Sequence, residues 1–248
     1  MDSQAGEQAL PTRLRCGMVL MAKPGLNASE WEGVIKNTVA ELGKAAPWAD
    51  VHGLVTIASA DDEVHSSQRA LSRPIDATIA LTFSADREGA ALLGLTELIK
   101  RCLDNVVDPA GCHANIGTAY YPTLGYGAFG YTAVVFRDAQ VTESQFWKWW
   151  FGHHSKMGLE SPAAPYMVGY SLQHRADPVT SKFNELLGFS DKGDLFEQVY
   201  IDNLDGWTQA VTQATAESFY EDEKGFVSRD GPRMATQTVV ATWLAEPA

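Results

Sequence analysis

The sequence predicts an α+β protein in which two successive βαββαβ units close on each other as one barrel of about eight strands. Three observations carry that expectation. Apolar runs of strand length and amphipathic stretches of helix length follow the order βαββαβ between residues 16 and 121, and the order returns between 129 and 244. A glycine-bearing segment, Leu124 to Ala128, lies between the two passes as their seam. A βαββαβ unit also builds an antiparallel, ferredoxin-like sheet with helices on one face only, and a second copy in the same chain supplies the partner its bare face needs.

Residues 1–14 are polar and aperiodic, which predicts a flexible arm before the first half, 15–123. Cys16 to Met21 is the first strand. In Ser29-Glu30-Trp31-Glu32 a serine and a glutamate three apart can satisfy each other's free backbone N–H groups, so a helix is expected to start there. It carries Trp31, Ile35, Val39 and Leu42 on one stripe and ends near Pro47. Strands at Val51 to Ser59 and Asp76 to Phe83, a helix from Asp86 to Asn105 and a strand at His113 to Tyr121 complete the half. The second half, 124–248, opens with a strand at Phe129 to Phe136. Thr142 and Gln145 then form another reciprocal cap, for a helix that reaches Met157 and is ended by Pro162 and Pro165. Strands at Tyr166 to Arg175 and Phe196 to Ile201, a helix at Asp205 to Tyr220 and a strand at Ala235 to Leu244 follow. Two long connections in matching places, Ala60 to Pro74 and Ala176 to Asp194, are expected to form partial lids.

Composition narrows the function classes. With 248 residues, 45% of them hydrophobic and 20% charged, the chain can bury a sizeable core. Nineteen Lys and Arg against 31 Asp and Glu leave a net charge of −12, the wrong sign for tracking phosphates, so nucleic acid is not an expected partner. No apolar run approaches the roughly 18 residues that span a bilayer. Residues 1–15 hold no signal-peptide core, so a cytoplasmic protein without membrane contact is expected. Cys16, Cys102 and Cys112, odd in number and without C-x-x-C spacing, suit reduced thiols.

Several familiar motifs fail on context. Gly125 to Gly130 fits G-x-G-x-x-G, yet it leads into the strand-like run Tyr131 to Phe136, where no helix N-terminus can meet a pyrophosphate. The six histidines include no H-x-x-x-H or H-E-x-x-H pair, and the adjacent His153 and His154 diverge on a helix. No G-x-S-x-G elbow is present. Neither metal nor cofactor is therefore expected.

The informative stretch is Phe146-Trp147-Lys148-Trp149-Trp150-Phe151-Gly152-His153-His154. Counting about 100° per residue from Phe146 puts Trp150 at about 40°, His154 at about 80°, Trp147 at about 100° and Phe151 at about 140°. His154 then sits inside an aromatic arc with His153 at its edge, while Lys148 and Ser155 point away. Rings around an imidazole desolvate it, which favours the neutral form that can accept a proton. The alternative is a core histidine satisfied by a backbone carbonyl. Strand alternation offers walls for a site. Phe129, Tyr131, Ala133 and Val135 share one face, as do Tyr166, Val168, Tyr170, Leu172 and His174, and Phe196, Gln198 and Tyr200. Tyrosines among apolar residues suit an aromatic ligand, although amphipathic packing explains the same stripes. His52 and His174 are expected near strand ends, and Glu221-Asp222-Glu223 as a solvated helix end.

Trp149-Trp150-x-x-x-His154-Ser155 resembles the Y/H-W-x-x-x-H-A signature of EthD-domain proteins, members of the dimeric α+β barrel superfamily. Asp222 to Asp230, reading DEKGFVSRD, is similar to the D-E-x-x-F-x-D segment before that family's last strand. The likeness covers residues 127–246, and the first half shares element order alone. Family members include aromatic polyketide cyclases, small cofactor-free monooxygenases and proteins of unknown activity. The resemblance implies His154 as general acid or base and Asp230 as an orienting carboxylate. The aromatic arc and the strand faces supply the expected substrate walls, at Trp147, Trp150, Phe151, His153, Tyr131, Tyr170 and Tyr200.

Laying Asn27 on Thr142 puts Val39 at the place of His154, and sliding by two residues puts Glu41 there. The first half also has Val107-Asp108-Pro109-Ala110-Gly111 where the acidic segment would fall. Only the second half is expected to carry chemistry. The leading expectation is a cofactor-independent cyclase or lyase-type enzyme of secondary metabolism acting on a polyketide-derived or aromatic small molecule. The alternatives are a cofactor-free monooxygenase of a phenol or anthrone, a non-catalytic ligand-binding or stress protein, and a haem protein, which needs an axial histidine and a roomy pocket. With closure inside the chain, a monomeric fused pseudo-dimer or a homodimer is expected.

Overall fold

The computed structural model describes residues 13–57, 75–84, 89–191, 193–211, 213–228 and 233–246. The strands are β1 (Arg13–Leu20), β2 (Ala49–Thr56), β3 (Ala77–Ser84), β4 (His113–Thr123), β5 (Phe129–Val135), β6 (Met167–Arg175), β7 (Leu195–Ile201) and β8 (Arg233–Trp243). They close into an antiparallel barrel in the order β1-β3-β2-β8-β5-β7-β6-β4. Residues up to Thr123 contribute β4-β1-β3-β2 and the later ones β8-β5-β7-β6, the same internal order twice. The two sets meet at β2 with β8, where Val51 faces Trp243, and at β4 with β6, where Thr118 faces His174. Closure leaves none of these strands with a free edge.

Helices cover the outside of the barrel. On the first set lie α1 (Ala28–Ala45), α2 (Gly89–Leu93) and α3 (Thr96–Leu103). The α1 stripe Trp31, Ile35, Val39 and Leu42 is buried as the periodicity requires. Its cap sits two residues earlier than Ser29. Asn27 Oδ1 accepts from the Glu30 N–H at 2.9 Å and Glu30 Oε2 accepts from the Asn27 N–H at 3.2 Å, because an asparagine serves this reciprocal geometry as well as a serine. The single helix expected over 86–105 is broken between Leu93 and Thr96, and residues 85–88 lie outside the described set, as do 1–12 and the proposed lid at 60–74. β1 begins at Arg13, inside the expected arm.

The second set is covered by α4 (Glu143–Trp149), a π-helical turn (Trp150–His154) and α5 (Ser155–Glu160), which run on as one rod. α7 (Leu204–Ala210) and α8 (Gln213–Glu223), expected as one helix, are separated at Val211. The Thr142–Gln145 cap forms as read. The connection 176–194 is not a lid over the second half. It holds α6 (Val179–Leu187), whose Phe183 and Leu187 join the core under the first half's helices, and Asn184 bonds the Ala114 backbone on β4 at 2.7 and 3.0 Å.

Two outer cores result, one beneath α1, α3 and α6 and one beneath α4 and α7, while Val19, Ile75, Val134, Phe196 and Ala235 fill part of the lumen. The seam glycines hold a structural place. A Cβ on Gly125 would meet the Val168 carbonyl oxygen at 2.1 Å and one on Gly127 the Ile201 carbonyl oxygen at 2.5 Å, so these positions allow no side chain. Among the described residues no helix is long and apolar enough to cross a membrane.

Candidate active site

A cavity of about 100 Å³ lies between the outer face of the second sheet and the helices above it. β5 contributes Tyr131, β6 Tyr170 and β7 Glu197, and the helical roof contributes Trp150, His154 and Glu223. His154 is held in place by the π turn. That turn inserts residues where an α-helix would already have closed, shifting the phase of everything after Trp150. Two sequence-based placements change as a result. Ser155, expected to point away, is buried and donates to the Phe151 carbonyl at 3.1 Å, whereas Phe151 leaves the cavity and stacks on Trp147 at 5.0 Å.

His154 is 7% exposed, packed against Trp150 at 4.3 Å, Trp149 at 5.0 Å and Phe219 at 5.4 Å between ring centroids. Its Nδ1 lies 2.7 Å from Asp222 Oδ2. The other oxygen of that carboxylate takes His153 Nε2 at 2.8 Å, so one acid bridges both histidines. A carboxylate on Nδ1 fixes the Nδ1–H tautomer and leaves Nε2 with its lone pair, 4.0 Å from Glu223 Oε1. Burial pushes the His154 pKa down, partly offset by the bond to and the charge of Asp222, and the net direction is below the usual imidazole value. The imidazole is therefore neutral near pH 7, as expected from its aromatic surroundings.

Across the cavity, burial pushes Glu197 up to about 8, against a hydrogen bond from Tyr170 and with a further upward push from the charge of Glu223. It holds its proton at neutral pH. Tyr131 and Tyr170 are raised well above the ordinary phenol value by burial and stay protonated. Trp150 adds a buried indole N–H with no acceptor among the described residues.

Four of the residues singled out from sequence, Tyr131, Trp150, His154 and Tyr170, share this cavity. Others lie elsewhere. Trp147 packs edge-on against His174 at 4.4 Å outside the lining, and His174 bonds Glu143 at 3.0 Å. The His153 side chain is 62% exposed and reaches the site only through Asp222. Tyr200 occupies the opposite sheet face. Alternation along β7 sends Phe196, Gln198 and Tyr200 into the lumen and Glu197 and Val199 toward the cavity, and strand periodicity alone does not say which stripe faces the helices. His52 is inside the barrel, stacked on Tyr126 at 4.0 Å. Asp230 lies outside the described residues.

The acidic run is not a solvated end. Glu221 pairs with Lys224, but the Asp222 side chain is 12% exposed and Glu223 is buried. Glu197 and Asp222 are the residues sequence reasoning missed. The available signals were a charge within the apolar run of β7 and two adjacent acids matched to two adjacent histidines. The two halves of the EthD-like pattern also meet in space, since Phe226 stacks on Trp149 at 4.4 Å with an interplanar angle of 10°. Among the described residues no group of three or more His, Cys, Asp or Glu side chains has metal-binding geometry. A cavity of about 100 Å³ does not fit a haem macrocycle.

No protein-family model matches the chain, and no curated protein matches it in sequence. Solved structures match its fold. A provisionally assigned monooxygenase from Fusobacterium nucleatum superposes with a TM-score of 0.57 at 9% identity, over 97% of this chain and 98% of that one. A second, from Lactobacillus acidophilus, gives 0.51 at 10% identity over 94% and 97%. A provisionally assigned chlorite dismutase gives 0.55 at 8% identity over 94% and 96%. The chain is similar to these α+β barrel proteins in fold along nearly its whole length.

Proposed function

We propose that this chain is a general acid/base enzyme of EthD-like type, a tandem pair of ferredoxin-like units in which 124–248 carries the chemistry and 15–123 is its structural partner. Its reaction is of the cyclase or lyase type, on a polyketide-derived or aromatic carbonyl compound, in the cytoplasm and without a cofactor. One observation carries the reading: a neutral imidazole oriented by Asp222 and a carboxyl group kept protonated at Glu197 line the same buried cavity. Titratable groups driven apart in this way mark a base and an acid.

His154 Nε2 removes a proton from carbon next to the substrate carbonyl, and Asp222 steadies the imidazolium that forms. Glu197, whose carboxyl already accepts the Tyr170 O–H, donates to the oxygen on which charge builds, and the Trp150 N–H donates to a second lone pair of that oxygen. The enol then attacks another carbonyl of the substrate or expels a β-hydroxyl as water, the proton held by His154 going to the new alkoxide or leaving group. The cavity, smaller than the roughly 150 Å³ that admits benzene, holds the reacting end of the substrate.

Cofactor-free oxygenation is the second reading, since it needs the same base and two of the fold neighbours carry a monooxygenase assignment. Turnover of aryl β-diketones and phenols followed with an oxygen electrode separates the two. Product without oxygen uptake, slowed by His154→Ala in samples that remain folded at the assay temperature, is the expected result. Uptake of one oxygen per turnover moves the reaction to oxygenation, and full turnover by the variant removes His154 from the mechanism.

A further inference from the structure

Two histidines adjacent in the π turn share one acid, and the acid/base chemistry uses only one of them. Successive side chains on a helix point about 100° apart. Here both reach the same carboxylate, with Asp222 Oδ2 2.7 Å from His154 Nδ1 and Asp222 Oδ1 2.8 Å from His153 Nε2. The three groups lead inward from solvent, the His153 ring exposed, Asp222 beneath it and His154 buried at the cavity. The charged groups that face the two rings all come from α8. Asp222 lies between them, Glu223 Oε1 is 4.0 Å from His154 Nε2, and Glu221 is held by Lys224. Among the described residues no Lys or Arg pairs with Asp222.

A carboxylate that accepts from two donors divides its charge between them. An N–H on Oδ1 fixes the plane of the Asp222 carboxylate and lessens what Oδ2 can give to the imidazolium form of His154. One carboxylate also balances one cation. A proton on the solvated His153 ring costs little desolvation, whereas a second proton, on His154, meets both burial and a like charge. In keeping with this, burial lowers the His154 pKa against the bond to and the charge of Asp222, and the charge of His153 adds to the lowering. We propose that His153 is a positioning residue which, through Asp222, keeps His154 in its proton-accepting form. The inference rests on His154 being the base and assigns to the neighbouring ring the pH range over which that base is available.

The test is nitrogen-15 NMR titration of His154 in the full chain, with pH–rate profiles on an aryl β-diketone beside it. His153→Ala should raise the His154 midpoint by on the order of half a pH unit and carry the acid limb of kcat/KM up with it, so that the rate loss is greatest at low pH. His153→Gln, which keeps an N–H without a charge, should fall between His153→Ala and the unaltered chain. In an Asp222→Asn background the shift should vanish, because the influence runs through the carboxylate. An unmoved or lowered midpoint, a shift that persists in Asp222→Asn, or a rate loss equal at every pH overturns the proposal, the last being the mark of a merely structural role. Failure of the acid/base reading looks different: the unaltered chain itself then shows an Nε2–H tautomer or a midpoint above 6.5, which removes both. A midpoint below 6.5 that His153→Ala does not move leaves that reading standing and removes the role of His153 alone.

Discussion

His154 is the point where two opposed forces meet: rings on three sides favour the neutral imidazole, and Asp222 holds it in one tautomer. Removing it tests the chemistry. His154→Ala is expected to lower kcat by about 10² to 10⁴ with the melting temperature followed in parallel, because an emptied buried site can also cost stability. Glu197 gives a prediction about stability. Its folded pKa, about 8, lies above the ordinary carboxylate value of 4.5, so the folded state keeps a proton that the unfolded chain releases. Stability is then present in full below pH 4.5 and falls as pH rises toward 8, by at most about 1.4 kcal/mol per pH unit. Glu197→Gln should flatten that decline in denaturant melts. His154 has the reverse sign: its lowered pKa means that the unfolded chain takes up the proton first as pH drops below 6.5, and stability is lost there. His154 was legible because two of the rings that desolvate it, Trp149 and Trp150, lie within its own helical rod, whereas the third, Phe219, comes from α8. Asp222 is 68 residues away and Glu197 is on a strand, so no local spacing connects them with it.

The rod α4–π turn–α5 shows how an element aims a residue. Helical periodicity finds the helix and its Thr142 cap, but a 3.6-residue count cannot foresee a π turn, and it therefore misplaces Phe151 and Ser155. Gly152 lies exposed in that turn with open space around a built Cβ. Gly152→Ala should raise stability by about 0.4–1 kcal/mol through the unfolded state, read as a small rise in melting temperature. Deleting Gly152 should instead restore α-helical phase and carry His154 away from Asp222. The expected signature is loss of turnover with helix content retained, and unchanged activity would show that the turn does not position the histidine. The breaks between α2 and α3 and between α7 and α8 escaped the sequence because the apolar pattern continues across both.

At the level of the whole molecule, the order of strands was legible from the repeated βαββαβ pattern, and closure followed from the bare sheet faces that pattern leaves. The lumen was not legible, because Arg15 next to Cys16 reads as the polar start of a strand and its partners come from β6 and β7 more than 150 residues away. The junctions β2–β8 and β4–β6 join the two halves, so residues 13–123 expressed alone should not give a cooperatively melting monomer. A soluble monomer from that fragment would show that the halves are independent. The central claim concerns the intact chain, in which the second sheet and its helices hold a neutral, Asp222-oriented imidazole ready to accept a proton. Nitrogen-15 NMR titration of His154 measures this directly. The account predicts the Nδ1–H tautomer with a midpoint below 6.5, moving lower still in Asp222→Asn as the raising influence is removed. An Nε2–H tautomer, or a midpoint above 6.5, would contradict it.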